Sequence, residues 1–234
     1  MKYCRIPRFL SIVLLLSISI MHIHSQSQTT TRTLEQKLRD HGLVNVAELD
    51  STVCVSLMYA RSDNFTGVLL YDDGFNQAYL HPDAASALVR AQAELASLAP
   101  GYRLLIKDAA RPMSIQRRMF KAVSGTPKAN YVANPAKGGG LHNYGLAVDI
   151  TIVDPAGREI SMGTPVDHLG TEANIDKEEI LVRRGVISET ERQNRLLLRR
   201  VMTAAGFHTI RTEWWHFNLV NKAKARASFR RLDF

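Results

Sequence analysis

The segment from His142 to Val153 constrains the fold more than any other part of this chain. Residues 146–153 alternate aliphatic side chains with small or polar ones, which is the period of a β-strand with one buried face. Asp149 then projects from the face opposite the buried one, and Gly145 permits an unusual backbone path in the turn before the strand. The segment therefore predicts a turn that leads into a sheet, with the His142 imidazole at one end and the Asp149 carboxylate at the other.

The rest of the chain mixes helical and strand patterns without regular alternation. One helix is predicted over residues 82–98 and a second over residues 189–205, where a capping box starts it and Gly206 ends it. The other predicted elements are a strand over residues 102–107, a short helix after Pro112, a loop over residues 124–140 and a strand or strand pair over residues 207–220. This order predicts an α+β domain in which helices pack against a small antiparallel sheet.

The N-terminus has the pattern of a secretory signal. Basic residues precede an apolar run over residues 9–21, and Ser25 offers a small-residue exit. The apolar run is shorter than the roughly 20 residues that cross a bilayer. We therefore expect a signal peptide over residues 1–25, a flexible lead-in over residues 26–40 and a single domain over residues 41–234. This organisation predicts an exported protein, periplasmic or extracellular, with no stable membrane insertion after cleavage.

Composition and charge narrow the classes of function. Hydrophobic residues make up 45% of the chain and charged residues 22%, which excludes a disordered tail, a fibrous repeat and a polytopic membrane protein. Loss of the signal peptide lowers the formal net charge from +8 to +5, because it removes three basic residues and no acidic one. The remaining arginine pairs are scattered, so we expect no nucleic-acid partner. The sequence signatures of serine hydrolases, HExxH zinc peptidases and P-loop nucleotide binders are absent.

Two histidines and two acidic residues are candidates for chemistry. His142, Asp149 and His216 offer two nitrogens and one oxygen, a set suited to a catalytic zinc ion with one coordination position left open. Glu213 is then available as a base. Since Glu213 and His216 would point to opposite faces of a regular strand, we predict a bulge or a strand end between them. A surface His–Asp pair and a core strand with solvated polar ends are the alternative interpretations of these residues.

Arg111 is a further candidate because of its neighbours along the chain. It follows a predicted strand and precedes Pro112, which suits the first turn of a helix. An arginine held rigidly in this way can meet an oxyanion, whereas an arginine at a strand end is otherwise a solvated charge. The spacing does not decide between the two.

Four motifs in order along the chain resemble one family. The run H-x-x-G-x-A-x-D from His142 to Asp149 resembles the first metal motif of the D-alanyl-D-alanine metallopeptidases, and residues 213–216 (EWWH) resemble their second. Residues 59–67 (YARSDNFTG) and 108–112 (DAARP) resemble the D-Ala-D-Ala dipeptidase branch of that family. The likeness covers most of the chain that follows the predicted lead-in.

This resemblance implies a zinc-dependent hydrolysis of the D-alanyl-D-alanine dipeptide to two D-alanines by a zinc-activated water. It implies one Zn²⁺ per chain and a small D-amino-acid dipeptide as substrate. The implied roles are His142, Asp149 and His216 as zinc ligands, Glu213 as general base and then acid, Arg111 as the group that steadies the oxyanion, Asp167 as the acid that receives the free amine of the substrate, and Tyr59 and Asp108 as residues lining the same small pocket. Such an amine site selects dipeptides, because an N-blocked peptide would leave the carboxylate buried and unpaired.

Two positions depart from the family pattern. The serine common just before the first zinc histidine is absent, since the chain has Gly139-Gly140-Leu141 there, and Ala110 replaces a common aromatic residue before the arginine. These differences predict that the part of the pocket that holds the substrate carboxylate is wider or more tolerant. They keep open a D,D- or L,D-carboxypeptidase that acts on cell-wall peptides. A non-catalytic, zinc-containing wall-binding module is the other rival, and the presence of Glu213 argues against it.

Overall fold

The computed structural model describes residues 32–71 and 74–234. This part of the chain contains seven α-helices and seven β-strands, joined by turns and short 3₁₀ helices. The helices are α1 Leu34–Asp40, α2 Val46–Leu49, α3 Pro82–Leu98, α4 Met113–Val123, α5 Glu178–Arg183, α6 Glu189–Ala204 and α7 Lys222–Ser228. The strands are β1 Val44–Asn45, β2 Cys54–Val55, β3 Tyr79–Leu80, β4 Arg103–Asp108, β5 Ala147–Val153, β6 His208–Ile210 and β7 Glu213–Asn218.

The main sheet has five strands in the order β2-β4-β5-β7-β6. Adjacent strands of this sheet are antiparallel, except that β2 runs parallel to β4 at one edge. β1 and β3 form a separate two-stranded antiparallel ladder. The predicted α+β class, with helices on a small and mainly antiparallel sheet, is confirmed.

Two long helices cover the sheet, and their ends follow local sequence signals. α3 begins where the ring nitrogen Nδ1 of His81 accepts a hydrogen bond from the Asp83 backbone N–H at 3.2 Å. α6 begins with the predicted capping box, in which the Ser188 hydroxyl accepts from the Glu191 N–H and the Glu191 carboxylate accepts from the Ser188 N–H. The apolar faces of both helices contribute to the main core, including Leu88 of α3 and Leu198 of α6. Both helices therefore pack in the same core as β5 and β7, the two inner strands that carry Asp149 and His216.

β5 differs from the prediction in one respect that matters for function. We expected the face of β5 that carries Asp149 to lie opposite a buried one, but every residue of the strand is buried. The reason is that β5 lies between β4 and β7, and the Asp149 side is covered by the side chains of Arg111, His142 and His216. Asp149 is therefore only 4% exposed.

The N-terminal boundary of the domain also differs from the prediction. The flexible lead-in expected over residues 26–40 is wrong for residues 34–40, because these form α1. Thr33 and Gln36 form a capping box at its start, and Leu38 is buried against Leu43 and Tyr79. The predicted signal peptide over residues 1–25 lies outside the described residues. Among the helices of the described residues, none combines the length and the apolar character needed to cross a bilayer.

Candidate metal centre and its cavity

The three predicted metal ligands converge at the middle of the main sheet. His142 belongs to a short 3₁₀ helix, Leu141–Tyr144, just before β5, whereas Asp149 and His216 are directly paired residues of β5 and β7. One ligand atom from each residue lies within 4.8 Å of the other two. The turn depends on Gly145, which has a φ of +66° and leaves no room for a Cβ, since that atom would lie 2.5 Å from Leu43.

The hydrogen bonds of both histidines turn their lone pairs toward each other. Nδ1 of His142 lies 2.8 Å from the Ala109 carbonyl oxygen, and Nε2 of His216 lies 2.9 Å from the Asn218 side-chain oxygen. An oxygen of either kind can only accept, so both of these nitrogens donate. The nitrogens that remain, His142 Nε2 and His216 Nδ1, face each other at 3.3 Å. Two facing lone pairs repel unless a cation or a proton lies between them.

The Asp149 carboxylate completes this donor set. Its two oxygens lie 2.9 Å from His216 Nδ1 and 3.4 Å from His142 Nε2. A tetrahedral zinc ion with ligand distances of about 2.0–2.1 Å separates its ligand atoms by about 3.3–3.4 Å, close to these spacings. In each histidine the other ring nitrogen donates to an oxygen atom, as it does in most histidines that bind a metal ion. The residues therefore fit a divalent metal ion.

The electrostatics of the cluster favour a positive charge. Burial raises the pKa of Asp149, but the neighbouring His142 and His216 outweigh that effect and hold the pKa well below its ordinary value. Burial lowers the pKa of His216, but the hydrogen bond and the charge of Asp149 raise it to about 9. The same surroundings that raise this pKa would favour a metal cation at the Nδ1 atom. Metal and proton compete for the same atoms.

Glu213 lies beside the three ligands. The register of β6 and β7 shifts, because Thr209 pairs with Phe217 while Ile210 pairs with Glu213. This irregularity confirms the predicted bulge and brings Glu213 and His216 to one side of the strand, with Oε2 3.9 Å from Nδ1. Burial raises the pKa of Glu213, which suits a group that takes and returns a proton.

Arg111 is held rigidly at the edge of the cluster. Nε donates to Oδ2 of Asp108 at 3.0 Å, Nη2 donates to the same oxygen, and Nη1 donates to Gln116 Oε1 at 3.1 Å. Its guanidinium lies 5.1 Å above the ring of Tyr59 and 4.0 Å from Asp149. The interpretation as a solvated charge is wrong, because Arg111 is 7% exposed.

Asp108 does not line the pocket as the resemblance implied. It is fully buried behind Arg111, and it also accepts a hydrogen bond from the Tyr71 hydroxyl at 2.9 Å. The register of β4 and β5 shifts at this point, so that Asp108 pairs with Asp149. Asp108 therefore supports Arg111 from behind the cavity wall.

Asp167 reaches the cavity from a loop between β5 and α5. It is the only non-glycine residue in the described part of the chain with a positive φ, +62°. Its carboxylate accepts a hydrogen bond from the Tyr59 hydroxyl at 2.7 Å. Burial, and next the charge of Asp149, raise the pKa of Asp167 to about 8. Strain of this kind is concentrated at functional sites.

These groups surround one cavity of about 480 Å³. Its walls contain the three metal-ligand candidates together with Tyr59, Arg111, Asp167 and Glu213. Gly140 and Leu141 also line it, so the position where the family has a serine belongs to the cavity wall. Ala110 is not among the lining residues, because it packs with Leu38, Leu43, Tyr79 and Leu232. Of the two departures from the family pattern, only the first changes the cavity wall.

Sequence reasoning missed several residues that build the site. Tyr71 donates to Asp108 from 37 positions away in the sequence, and Gln116, five residues after Arg111, accepts from its guanidinium. The adjacent tryptophans Trp214 and Trp215 are different, because the sequence predicts one of them in the core and the other in the pocket wall. Trp215 is the one that lines the cavity, and its buried indole N–H has no acceptor among the described residues. Gln116 offered one signal, a polar side chain on the apolar face of a predicted helix. Tyr71 offered none.

Comparisons with known proteins point to one family. A family model described as D-ala-D-ala dipeptidase, of the peptidase M15 group, matches residues 39–232. A D-alanyl-D-alanine dipeptidase of Escherichia coli is 33% identical over 181 residues, which cover 77% of this chain and 86% of that protein. Proteins of the same name from Enterococcus faecalis and Streptomyces coelicolor are 29% and 30% identical, and the matches cover 94% and 89% of their lengths.

Proposed function

The chain belongs to the D-Ala-D-Ala dipeptidase family of metallopeptidases, and from this premise we propose that it hydrolyses D-alanyl-D-alanine to two D-alanines with a bound zinc ion. His142, Asp149 and His216 would hold the zinc ion. The observation that carries the proposal is the convergence of three metal-ligand candidates, the half-buried carboxyl group of Glu213 and the buried guanidinium of Arg111 on one cavity.

The zinc ion would supply Lewis-acid chemistry, polarising the scissile carbonyl and acidifying water. Glu213 takes a proton from the attacking water and gives it to the nitrogen of the leaving D-alanine, which balances the hydrolysis. Its raised pKa supports both halves of this transfer. Arg111 places a fixed positive charge beside the oxygen that becomes negative, and Asp108 and Gln116 keep the guanidinium from moving.

Asp167 is proposed to receive the free ammonium group of the dipeptide. Its carboxylate lines the cavity, and within the described part of the chain its one donor is the Tyr59 hydroxyl. An ammonium group would supply a positive counter-charge beside Asp167, and this would favour the ionised form of the Asp167 carboxyl group. A peptide with a blocked amine would leave it unpaired, at a cost of about 1–3 kcal/mol or more. This difference is the physical basis for choosing dipeptides.

The experiment that tests the proposal is release of D-alanine from D-Ala-D-Ala by the purified protein, with bound metal measured in the same samples. We expect one zinc ion per chain, loss of release after removal of the metal by a chelator, and recovery on addition of zinc. Release that persists after the metal has been stripped would contradict the proposal.

A D,D-carboxypeptidase that acts on cell-wall peptides is the second candidate, and the cavity volume favours it. A volume of about 480 Å³ lies in the range that holds drug-sized ligands, which are larger than two alanines. Cleavage of a longer peptide ending in D-Ala-D-Ala faster than the free dipeptide would replace the first proposal with this one. A binding module without turnover is disfavoured, since Glu213 lies beside the metal-ligand candidates.

We also propose that the protein is exported. The support is the order of basic, apolar and small residues in the first 25 positions. N-terminal sequencing of protein recovered from the cell exterior or the periplasm should begin near residue 26. Full-length, active protein found only in the cytoplasm would contradict export.

A further inference from the structure

Arg195 is a buried charge that the proposed chemistry does not use. It lies in the middle of α6, and its side chain has no exposed surface. Taking a guanidinium out of water costs several kcal/mol, and the nearest carboxylate oxygen, of Glu178, is 3.9 Å away. That carboxylate is bound more closely by Arg199, at 2.6 and 2.8 Å. Arg195 therefore donates its hydrogen bonds to other acceptors.

Those partners are the two ends of the segment that carries Asp167. We call residues 162–172 the Asp167 loop. Nε of Arg195 donates to the Met162 carbonyl at 2.6 Å, and Nη1 donates to the Glu172 carbonyl at 3.0 Å. These carbonyls lie five residues before and five residues after Asp167. One planar, forked side chain thus fixes how far apart the ends of the loop stand.

Arg195 also joins the loop to the strand that carries Glu213. Its Nη2 donates to the Thr164 hydroxyl oxygen at 3.3 Å, and the Trp214 indole N–H donates to the same oxygen at 2.8 Å. The guanidinium lies 5.7 Å from the centre of the Trp214 ring. Trp214 is adjacent to Glu213 in β7. The contacts therefore connect the loop to β7 one residue away from the proposed base.

The strain at Asp167 explains why such an anchor is needed. A left-handed backbone at a residue other than glycine costs about 1–2 kcal/mol. Such a conformation persists only where the surrounding structure holds it in place. Among the described residues, only the Tyr59 hydroxyl donates to the Asp167 carboxylate, so the direction of this carboxylate depends mainly on the backbone that carries it.

We propose that Arg195 is a positioning residue, which sets the place of the Asp167 carboxylate relative to Glu213 and so determines the preference for dipeptides with a free amine. The inference rests on the proposed function, because it takes Asp167 as the amine site. Arg195 touches no substrate and acts through the loop and through Trp214.

The test compares Arg195→Met with Arg199→Met in the zinc-loaded protein. Both substitutions remove a guanidinium from the same helix, but Arg199 binds Glu178 rather than the Asp167 loop. For Arg195→Met we expect KM for D-Ala-D-Ala to rise about tenfold or more, with kcat changed less than about threefold and with metal content unchanged. The kinetics on N-acetyl-D-Ala-D-Ala should not change. Arg199→Met should keep the KM and the selectivity of the unmodified protein.

Two outcomes would overturn the inference. One is an unchanged KM in Arg195→Met, and the other is the same rise in Arg199→Met, which would indicate a general loss of packing. If Arg195→Met does not fold, Thr164→Val removes only the oxygen that Arg195 and Trp214 share, and it should raise KM in the same direction by a smaller factor. An unchanged KM in Thr164→Val would then overturn the inference.

Asp167→Asn in the same assay separates this inference from the proposed function. If Asp167→Asn raises KM and Arg195→Met does not, the role of Arg195 alone is wrong. If neither substitution changes KM, the amine site itself is wrong and the inference falls with it.

Discussion

The Glu213 carboxylate and the His216 imidazole lie on the same side of β7, with Oε2 3.9 Å from Nδ1, although the two residues are three positions apart. A regular strand would place them on opposite faces. The register shift between Thr209 and Ile210 removes that conflict. A bulge in an edge pair of strands is therefore what puts a proposed proton carrier beside a proposed metal ligand.

Glu213→Gln should separate turnover from metal binding. The amide keeps the shape of the side chain but cannot take a proton from water, so we expect kcat to fall by about 10²–10⁴. Zinc should stay at one ion per chain, because Glu213 is not one of the three converging ligands. Steady-state kinetics with metal analysis on the same sample would check this. Undiminished kcat would remove Glu213 from the mechanism.

His216→Ala should lose the metal as well as the activity. It removes one of the three donors and leaves two, so we expect the zinc content to fall well below one ion per chain. His208→Ala is the matched control, since His208 also lines the cavity but is not one of the three converging ligands. Stoichiometric zinc in His216→Ala, or its loss in His208→Ala, would show that the ligand set is wrong.

Asp167→Asn should stabilise the metal-free protein while it weakens substrate binding. The pKa of Asp167 is about 8 in the folded protein and 3.8 as the ordinary value, so the folded protein holds a proton that the unfolded chain has lost between these pH values. Stability contributed by this group therefore falls as pH rises from about 4 to about 8. Asparagine does not ionise and tolerates a positive φ, so the variant avoids that loss.

Thermal unfolding of the metal-free protein at several pH values would measure this effect. We expect the variant to melt higher than the unmodified protein at pH 8 and no higher at pH 4, because the stability lost through Asp167 grows as the pH rises between its two pKa values. KM for D-Ala-D-Ala should rise in the same variant. A Tm difference that does not depend on pH would contradict the raised pKa of Asp167.

Asp108→Asn should cost much more stability than a comparable change at the surface. It leaves the Arg111 guanidinium buried without its counter-charge, for which we expect a loss of about 3–5 kcal/mol in the free energy of unfolding. Glu159→Gln breaks the more exposed pair with Lys107 and should cost less than about 1 kcal/mol. Denaturant unfolding of both variants would compare them. Equal losses would show that Arg111 does not depend on Asp108.

Local signals in the sequence were sufficient for the two long helices and for the central strand. Each of these signals acts over a few residues. A Pro-Gly stop ends α3, a capping box starts α6, and the alternation of aliphatic with small or polar side chains marks β5. His142 and Asp149 are also close in sequence. The requirement for a bulge at Glu213 followed from residue spacing alone.

What the sequence could not provide depends on contacts between distant segments. The burial of both faces of β5 requires its neighbours β4 and β7, and the place of Asp108 behind Arg111 requires a register shift that no local pattern marks. The hydrogen bond from Arg195 to the Met162 carbonyl, at one end of the Asp167 loop, joins residues 33 positions apart. α1 was missed because seven residues with one fully buried leucine give a weak helical pattern.

The ratio of kcat/KM for D-Ala-D-Ala to that for N-acetyl-D-Ala-D-Ala, measured on the zinc-loaded protein, shows whether the cavity selects dipeptides with a free amine. A free amine pairs with Asp167, whereas the acetylated peptide gives that side chain no counter-charge, so we expect a ratio of at least about 10. A ratio near one, or a preference for the acetylated peptide, would contradict the dipeptidase account and assign the cavity to longer peptides.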